Sequence, residues 1–242
     1  MKWRSLVIFA TIYQLSCFSN TQAQQFSDSL NYKESVSNLY RKYIDGIGDN
    51  AQIYHGIEYI RNGQKANGFP YYEKDSMGTG TISYRGTVYE NQKFFYNLVS
   101  DDIIIYNYQR NALIGLLPEN VDSFSIGSHV YLYILAVKSK GLPRNGFYEK
   151  LFDGEPGLYA RREKKLYNGT GSEEAKYIQY NTYYIKLKDE YYIVDGKNSM
   201  IDILKDQRDA LKKYIRINKL NFKKDPENSL LLSTTFYYRL KN

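Results

Sequence analysis

The chain has 242 residues, 43% hydrophobic and 24% charged, the composition of an ordinary globular chain with enough length for a real core. A single cysteine excludes an intrachain disulfide and a multi-cysteine zinc site, and the formal charge of +7 is small enough for a solvated, lysine-rich surface to account for it. The unusual count is tyrosine, 27 residues beside 11 phenylalanines. Tyrosine buries a large ring yet keeps a hydroxyl for water or a carbonyl, so this composition points to half-buried strand surfaces.

At the N-terminus, Lys2 and Arg4 precede the apolar run LVIFATIY, and Thr21-Gln22-Ala23 places small residues three and one positions before a cut. This is the pattern of a secretory signal peptide over residues 1–23, cleaved between Ala23 and Gln24. The apolar run is shorter than the roughly 20 residues that a bilayer-spanning helix needs. No later segment comes close, so residues 24–242 are expected to form a single α+β domain without a transmembrane segment. Cys17, after Leu15-Ser16, supports an alternative in which the cysteine is lipidated and anchors the protein, although Gln14 stands where a lipoprotein signal has an aliphatic residue. Cleavage after Ala23 removes Cys17 and Trp3, leaving no thiol for catalysis or metal binding, and the loss of Lys2 and Arg4 lowers the net charge by two. The expected location is periplasmic or secreted, and export argues against a nucleic-acid partner.

Further along, Val36, Leu39, Tyr40, Tyr43, Ile44 and Ile47 recur at helical spacing and predict an amphipathic helix over about 30–47, stopped at Asp45-Gly46. Residues 53–67 give a mixed signal, read as a short element with loops. From Gly78 the pattern changes to short β-branched and aromatic runs separated by turn pairs: TISY, Arg85-Gly86, TVYENQKFFYNLV, Ser100-Asp101-Asp102, IIIYNY, ALIGLL, VDSFSI, Gly127-Ser128, HVYLYIL. After KSKGLPRNG a second series follows: FYEKLF, Asp153-Gly154, LYARREKKLY, YIQYNTYYIKL, Lys188-Asp189-Glu190 and YYIV, closing at Asp195-Gly196. Connections this short imply antiparallel neighbours, because parallel pairing needs crossovers of about a dozen residues or more. The expected fold class is therefore α+β: a predominantly antiparallel meander, as a curved sheet or partly open barrel, covered by helices. Those helices follow at the C-terminus, with Asn198 or Ser199 capping the first, Asp206 capping the second and Asp225-Pro226 opening the third.

The blocks QIYHGIEY, GTISYRGTVYEN, FFYNLVSDDIII, VDSF, GFYEKLFDG, YARREKK, YYIV and KKYIRINKLNFKKDPE, in this order, resemble a family of secreted proteins of Bacteroidota that has no established activity. The resemblance spans nearly all of 24–242, with GFYEKLFDG and LKKYIRINKLNFKKD its more specific parts. It implies an exported, β-rich envelope protein and carries no catalytic residue to any position.

Chemistry is sparsely signalled. His55 and His129 are the two histidines. His129 falls at the start of a predicted strand, read as a turn-end or sheet-face residue. His55 stands three residues before Glu58, a spacing that would align the pair on a helix. No HExxH or comparable cluster marks a metal site, no GxSxG marks a nucleophile elbow, and GTG at 78–80 lacks the spacing and following helix of a nucleotide loop. Asp101-Asp102 and Glu173-Glu174 read as solvated turn acids. No catalytic residue, cofactor or metal ligand is assigned. Arg161, Arg162, Lys164 and Lys165 form the densest basic run and the candidate anion-binding surface, on a strand read as an edge or solvated one.

These features favour an exported cell-envelope protein, a non-catalytic scaffold or binding protein for a lipid, glycan or outer-membrane partner. The alternative is a metal-free hydrolase using two carboxylates, which requires a cleft where two acids converge and one has a raised pKa. A dry cavity between sheet and helices would indicate a lipid-like ligand; a filled one would direct attention to the surface.

Overall fold

In the computed structural model, residues 51–61, 66–170 and 174–242 are described, with isolated positions at 35, 39, 42 and 46. The leader at 1–23 with its Ala23–Gln24 cut, the alternative anchor Cys17 and, those isolated positions apart, the helix expected over about 30–47 lie outside the described residues.

The turn pairs punctuate the sheet as their chemistry dictates. Arg85 and Gly86 both have positive φ, 50° and 74°, as in the mirror-image two-residue turns whose twist suits a hairpin, and they join β2 (Gly78–Tyr84) to β3 (Thr87–Asn97). The meander continues through β4 (Asp102–Asn107), β5 (Ala112–Gly115), β6 (Val121–Ile126), β7 (His129–Ile134), β8 (Gly146–Phe152), β9 (Gly157–Tyr167), β10 (Lys176–Leu187) and β11 (Glu190–Val194). A two-residue strand, β1 (Ile57–Glu58), adds to β5 from the segment read as a short element with loops. The described strands form one antiparallel sheet in the order β1-β5-β4-β3-β2-β6-β7-β8-β9-β10-β11. Besides β1 on β5, the departure from meander order is β6 pairing with β2, which leaves β3, β4 and β5 as a wing on the far side.

Four strands separate β3 from β9 in this order, yet the Lys164 amide of β9 donates to the Leu98 carbonyl just beyond β3 at 2.9 Å. The sheet therefore curls back on itself without closing into a barrel. Residues 67–72 occupy the seam: Asn67 exchanges backbone hydrogen bonds with Ala175 and Tyr177 on one side, and Pro70 and Tyr72 with Leu98 and Tyr96 on the other. The Lys164 ammonium crosses beneath, donating to the Phe69 and Tyr71 carbonyls at 3.2 and 2.5 Å.

Curling creates an aromatic core. Tyr96, Phe124, Tyr131 and Phe147 are buried, with Phe124 and Tyr131 directly opposed across β6 and β7 and stacked at 4.6 Å. Tyr96 meets Phe124, Tyr131 and Phe147 edge-on at 4.9, 5.1 and 5.8 Å, the geometry that aromatic quadrupoles favour. The other end of the same face is aliphatic, where Leu158, Ile185 and Val194 pack under three helices through Met200, Leu204, Leu211 and Leu230.

The helices are α1 (Lys197–Ile203), α2 (Arg208–Ile217) and α3 (Pro226–Lys241). Their caps differ in detail from the sequence reading. Gly196 caps α1, and the Ser199 hydroxyl reaches back from the third helical position to accept from the Asp195 and Gly196 amides. Asp206 lies in a 3-10 turn ahead of α2, which Gln207 caps; its carboxylate instead takes the Tyr237 hydroxyl at 2.9 Å and the Lys241 ammonium at 3.0 Å, tying the end of α3 to the start of α2. Asp225-Pro226 opens α3 as expected, with proline where its missing N–H costs nothing.

Candidate functional site

The register of β7, β8 and β9 sets Tyr131, Glu149 and Ala160 in one row. Side chains two residues apart share a face, so His129 and Arg162 flank Glu149 diagonally from the two neighbouring strands. His129 Nδ1 lies 2.5 Å from Glu149 Oε1, while Arg162 Nε and Nη2 reach Glu149 Oε2 at 2.7 and 2.6 Å. Arg162 Nη1 reaches Glu227 Oε2 in the first turn of α3 at 2.6 Å, and the Tyr183 hydroxyl donates to the same oxygen at 3.0 Å. The result is a line of charge from the helical cover, through the sheet face, to His129.

Burial opposes the Arg162 charge, yet its hydrogen bonds and attraction to Glu227 and Glu149 outweigh that and hold its pKa above the ordinary arginine value. Burial likewise works against the charge of Glu227, but Arg162 and the Tyr183 hydroxyl prevail and its pKa falls below the ordinary glutamate value of 4.5. Tyr183 is pushed up to about 12, first by burial and then by the Glu227 charge. Two carboxylates converge here on one guanidinium, which favours the charged form of Glu227. That is the opposite of the raised acid a two-carboxylate hydrolase requires.

His129 is where this line meets solvent, its side chain 35% exposed against 2% for Glu149. Nδ1 is engaged by the Glu149 carboxylate, which leaves Nε2 facing outward, 4.0 Å from the Glu73 carboxylate. Beside it opens a cavity of about 310 Å³, whose lining includes Tyr72, Glu73, Ser76, Thr79, Ser128 and His129 over a floor of Phe94 and Tyr96. Tyr72 packs edge-on against the imidazole at 5.7 Å. The cavity thus combines rings with hydroxyls, a carboxylate and an imidazole held in one orientation.

The basic run does not form a common surface. β9 lies between β8 and β10, not at an edge. Arg161 and Arg162 are buried on opposite faces. Arg161 pairs with Asp101 at 2.9 Å and with Glu163 at 3.3 Å, and lies over the Tyr148 ring at 5.1 Å. Lys164 is spent on the seam carbonyls, and burial lowers its pKa. Lys165 is exposed over Tyr180. Asp101, expected in solvent, accepts from the Tyr96 hydroxyl at 2.7 Å and the Phe147 amide at 3.2 Å, while burial raises the pKa of Asp102. His55 follows a 3-10 turn and Glu58 lies in β1, so the helical pairing proposed for them does not form. Sequence reasoning missed the His129–Glu149 contact because its 20-residue separation carries no local signal.

The space between sheet and helices is filled by buried aliphatic side chains, so the cavity beside His129 is the concave feature that the line of charge reaches. Fold and site define an α+β protein built on a curled antiparallel sheet, with a small mixed aromatic and polar cavity at one end of its inner face. No family model, curated protein or solved structure matches the chain.

Proposed function

We propose that this is an exported cell-envelope protein that acts as a non-catalytic binding protein, and that its ligand is a small hydroxyl-rich molecule of the sugar class, held in the cavity beside His129. The observation that carries this reading is the composition of the cavity: rings for the apolar face of a ligand, with hydroxyls, the Glu73 carboxylate and an oriented imidazole for its hydroxyl groups. Its volume of about 310 Å³ is at the small end of ligand pockets, which suits one sugar unit better than a lipid chain. The filled interface under the helices further disfavours a lipid. The lowered pKa of Glu227 supports binding over hydrolysis, because a carboxylate held ionised by Arg162 is a poor proton donor. The signal peptide and the resemblance to secreted Bacteroidota proteins support the cellular setting.

Ligand-observed NMR against a panel of envelope monosaccharides and disaccharides tests the proposal. A binder should be found, Thr79→Trp should abolish its binding by filling the cavity, and His129→Ala should weaken it. If every sugar is inert, or if Thr79→Trp binds as the parent does, the reading is wrong.

A further inference from the structure

The net charge of this protein is concentrated in one place. Between residues 197 and 224 nine lysines and arginines face three aspartates, so this short segment supplies six of the seven net positive charges of the whole chain. The segment contains α1 and α2. α2 is fixed by Leu211 and Ile215, both buried, which leaves Lys212, Lys213, Arg216 and Lys219 exposed on the other side. Lys212 and Arg216 stand one turn apart on the same side of α2, and Lys219 follows just past its end. Among the described residues none of these four is ion-paired, whereas Arg208 and Lys241 at the margins pair with Asp202 and Asp206. A groove of about 580 Å³ runs beside them, lined by Lys197, Asn221 and one acid, Asp209, as well as the four cations, with Ile215 and Leu220 among its walls.

We infer that this face of α2 docks the protein on a bilayer rich in anionic phospholipid. Charge complementarity selects an anionic partner, and the phosphate headgroups of a membrane present negative charge as a plane that a fixed row of unpaired cations can match. Ile217 selects the bilayer among anionic surfaces. It is 62% exposed as the last residue of α2, next to Arg216 and two residues before Lys219. An exposed apolar side chain next to cations has a place at the boundary between headgroups and acyl chains, and has none on a soluble polyanion. No helix among the described residues is long and apolar enough to cross a membrane, so docking through this face is peripheral. The inference does not depend on the cavity beside His129, which is lined by other residues.

Co-sedimentation with vesicles of phosphatidylcholine, with and without phosphatidylglycerol, tests it. The full chain and a chain beginning at Gln24 are compared, so that binding by the leader is subtracted. The chain beginning at Gln24 should pellet with the anionic vesicles alone, and added salt should release it. The combined variant Lys212→Gln, Lys213→Gln, Arg216→Gln, Lys219→Gln should lose affinity by about 100-fold or more, with an unchanged circular dichroism spectrum because all four side chains are exposed. Ile217→Ser should weaken vesicle binding several-fold while leaving binding to heparin, a soluble polyanion, as it was. Equal pelleting with neutral vesicles, no pelleting at all, or vesicle binding indifferent to the four substitutions would each overturn the inference. Heparin binding without vesicle binding would assign the face to a soluble polyanion and overturn it as well.

Discussion

The two ends of the inner sheet face are filled by different chemistry. At the aromatic end Tyr96, Phe124, Tyr131 and Phe147 interlock, and each buried hydroxyl must find an acceptor: Tyr96 uses Asp101 and Tyr131 lies 3.4 Å from Glu149. At the helical end Met200, Leu204, Leu211 and Leu230 ask for nothing but contact. Filling a core with tyrosine therefore imports carboxylates, and those carboxylates import arginines, because an unpaired buried polar group is costly. At the aliphatic end that demand is confined to Tyr183 and Tyr237, which use Glu227 and Asp206. The contrast explains why the charged line and the cavity occur at the aromatic end.

Arg162 stands at the border of the two ends, and breaking it should have the largest effect. Arg162→Met would leave Glu149 buried without its guanidinium and release Glu227, at a cost of about 3–5 kcal/mol in denaturant-unfolding free energy. Leu211→Ala, at the aliphatic end, should cost about 2–5 kcal/mol through transfer and cavity terms, read from the same unfolding curves. Gly146→Ala sharpens the comparison on the outer face. Gly146 has φ +148°, and an added Cβ would fall 2.2 Å from Asp101 Oδ2 and 2.4 Å from Arg161 Nη1. The variant should therefore lose about 1–3 kcal/mol by calorimetry, with the Asp101–Arg161 pair displaced. Phe124→Leu keeps the apolar volume roughly but removes the ring contacts, and should cost about 1 kcal/mol.

The smallest expected effect is the acid response of the helical cover. The folded pKa values of Glu227 and Asp206 are lowered from 4.5 and 3.8. For Glu227 burial is overcome by Arg162 and Tyr183, and for Asp206 by Lys241 and Tyr237. A depressed carboxylate contributes stability that is complete above its unfolded pKa and disappears as pH falls through its folded one. Melting temperature should thus hold near neutrality and decline below about pH 4.5. Glu227→Gln and Asp206→Asn should each flatten that decline.

Much of the fold was legible because its signals are local. Arg85-Gly86 and Lys188-Asp189 mark hairpins by turn chemistry alone, and Pro226 marks the start of α3. What escaped is whatever depends on sheet order. Nothing near RREKK reports that β9 is interior, because the partners of Arg161 and Arg162 arrive from Asp101, Glu149 and Glu227, 60 residues before the first and 13 before and 65 after the second. The seam at 67–72 was assigned to no element for the same reason: it borrows its hydrogen bonds from β3 and β10, and a segment completing another element's ladder needs no strand-like alternation of its own. The charged cover was readable as composition, but its concentration on one face of α2 required the packing of Leu211 and Ile215 to set the helix's rotation.

The seam has a further consequence, for self-association. Long antiparallel sheets are at risk of recruiting other chains along their unpaired borders. Here the middle of the ribbon is sealed by its own 67–72 segment, and among the described residues the borders that remain are a two-residue stub at β1 and the five residues of β11, where Lys140 already bridges to Glu190. Both are short as templates for strand addition, so the tyrosine and β-branched residues of this sheet are carried on strands with little edge backbone to lend.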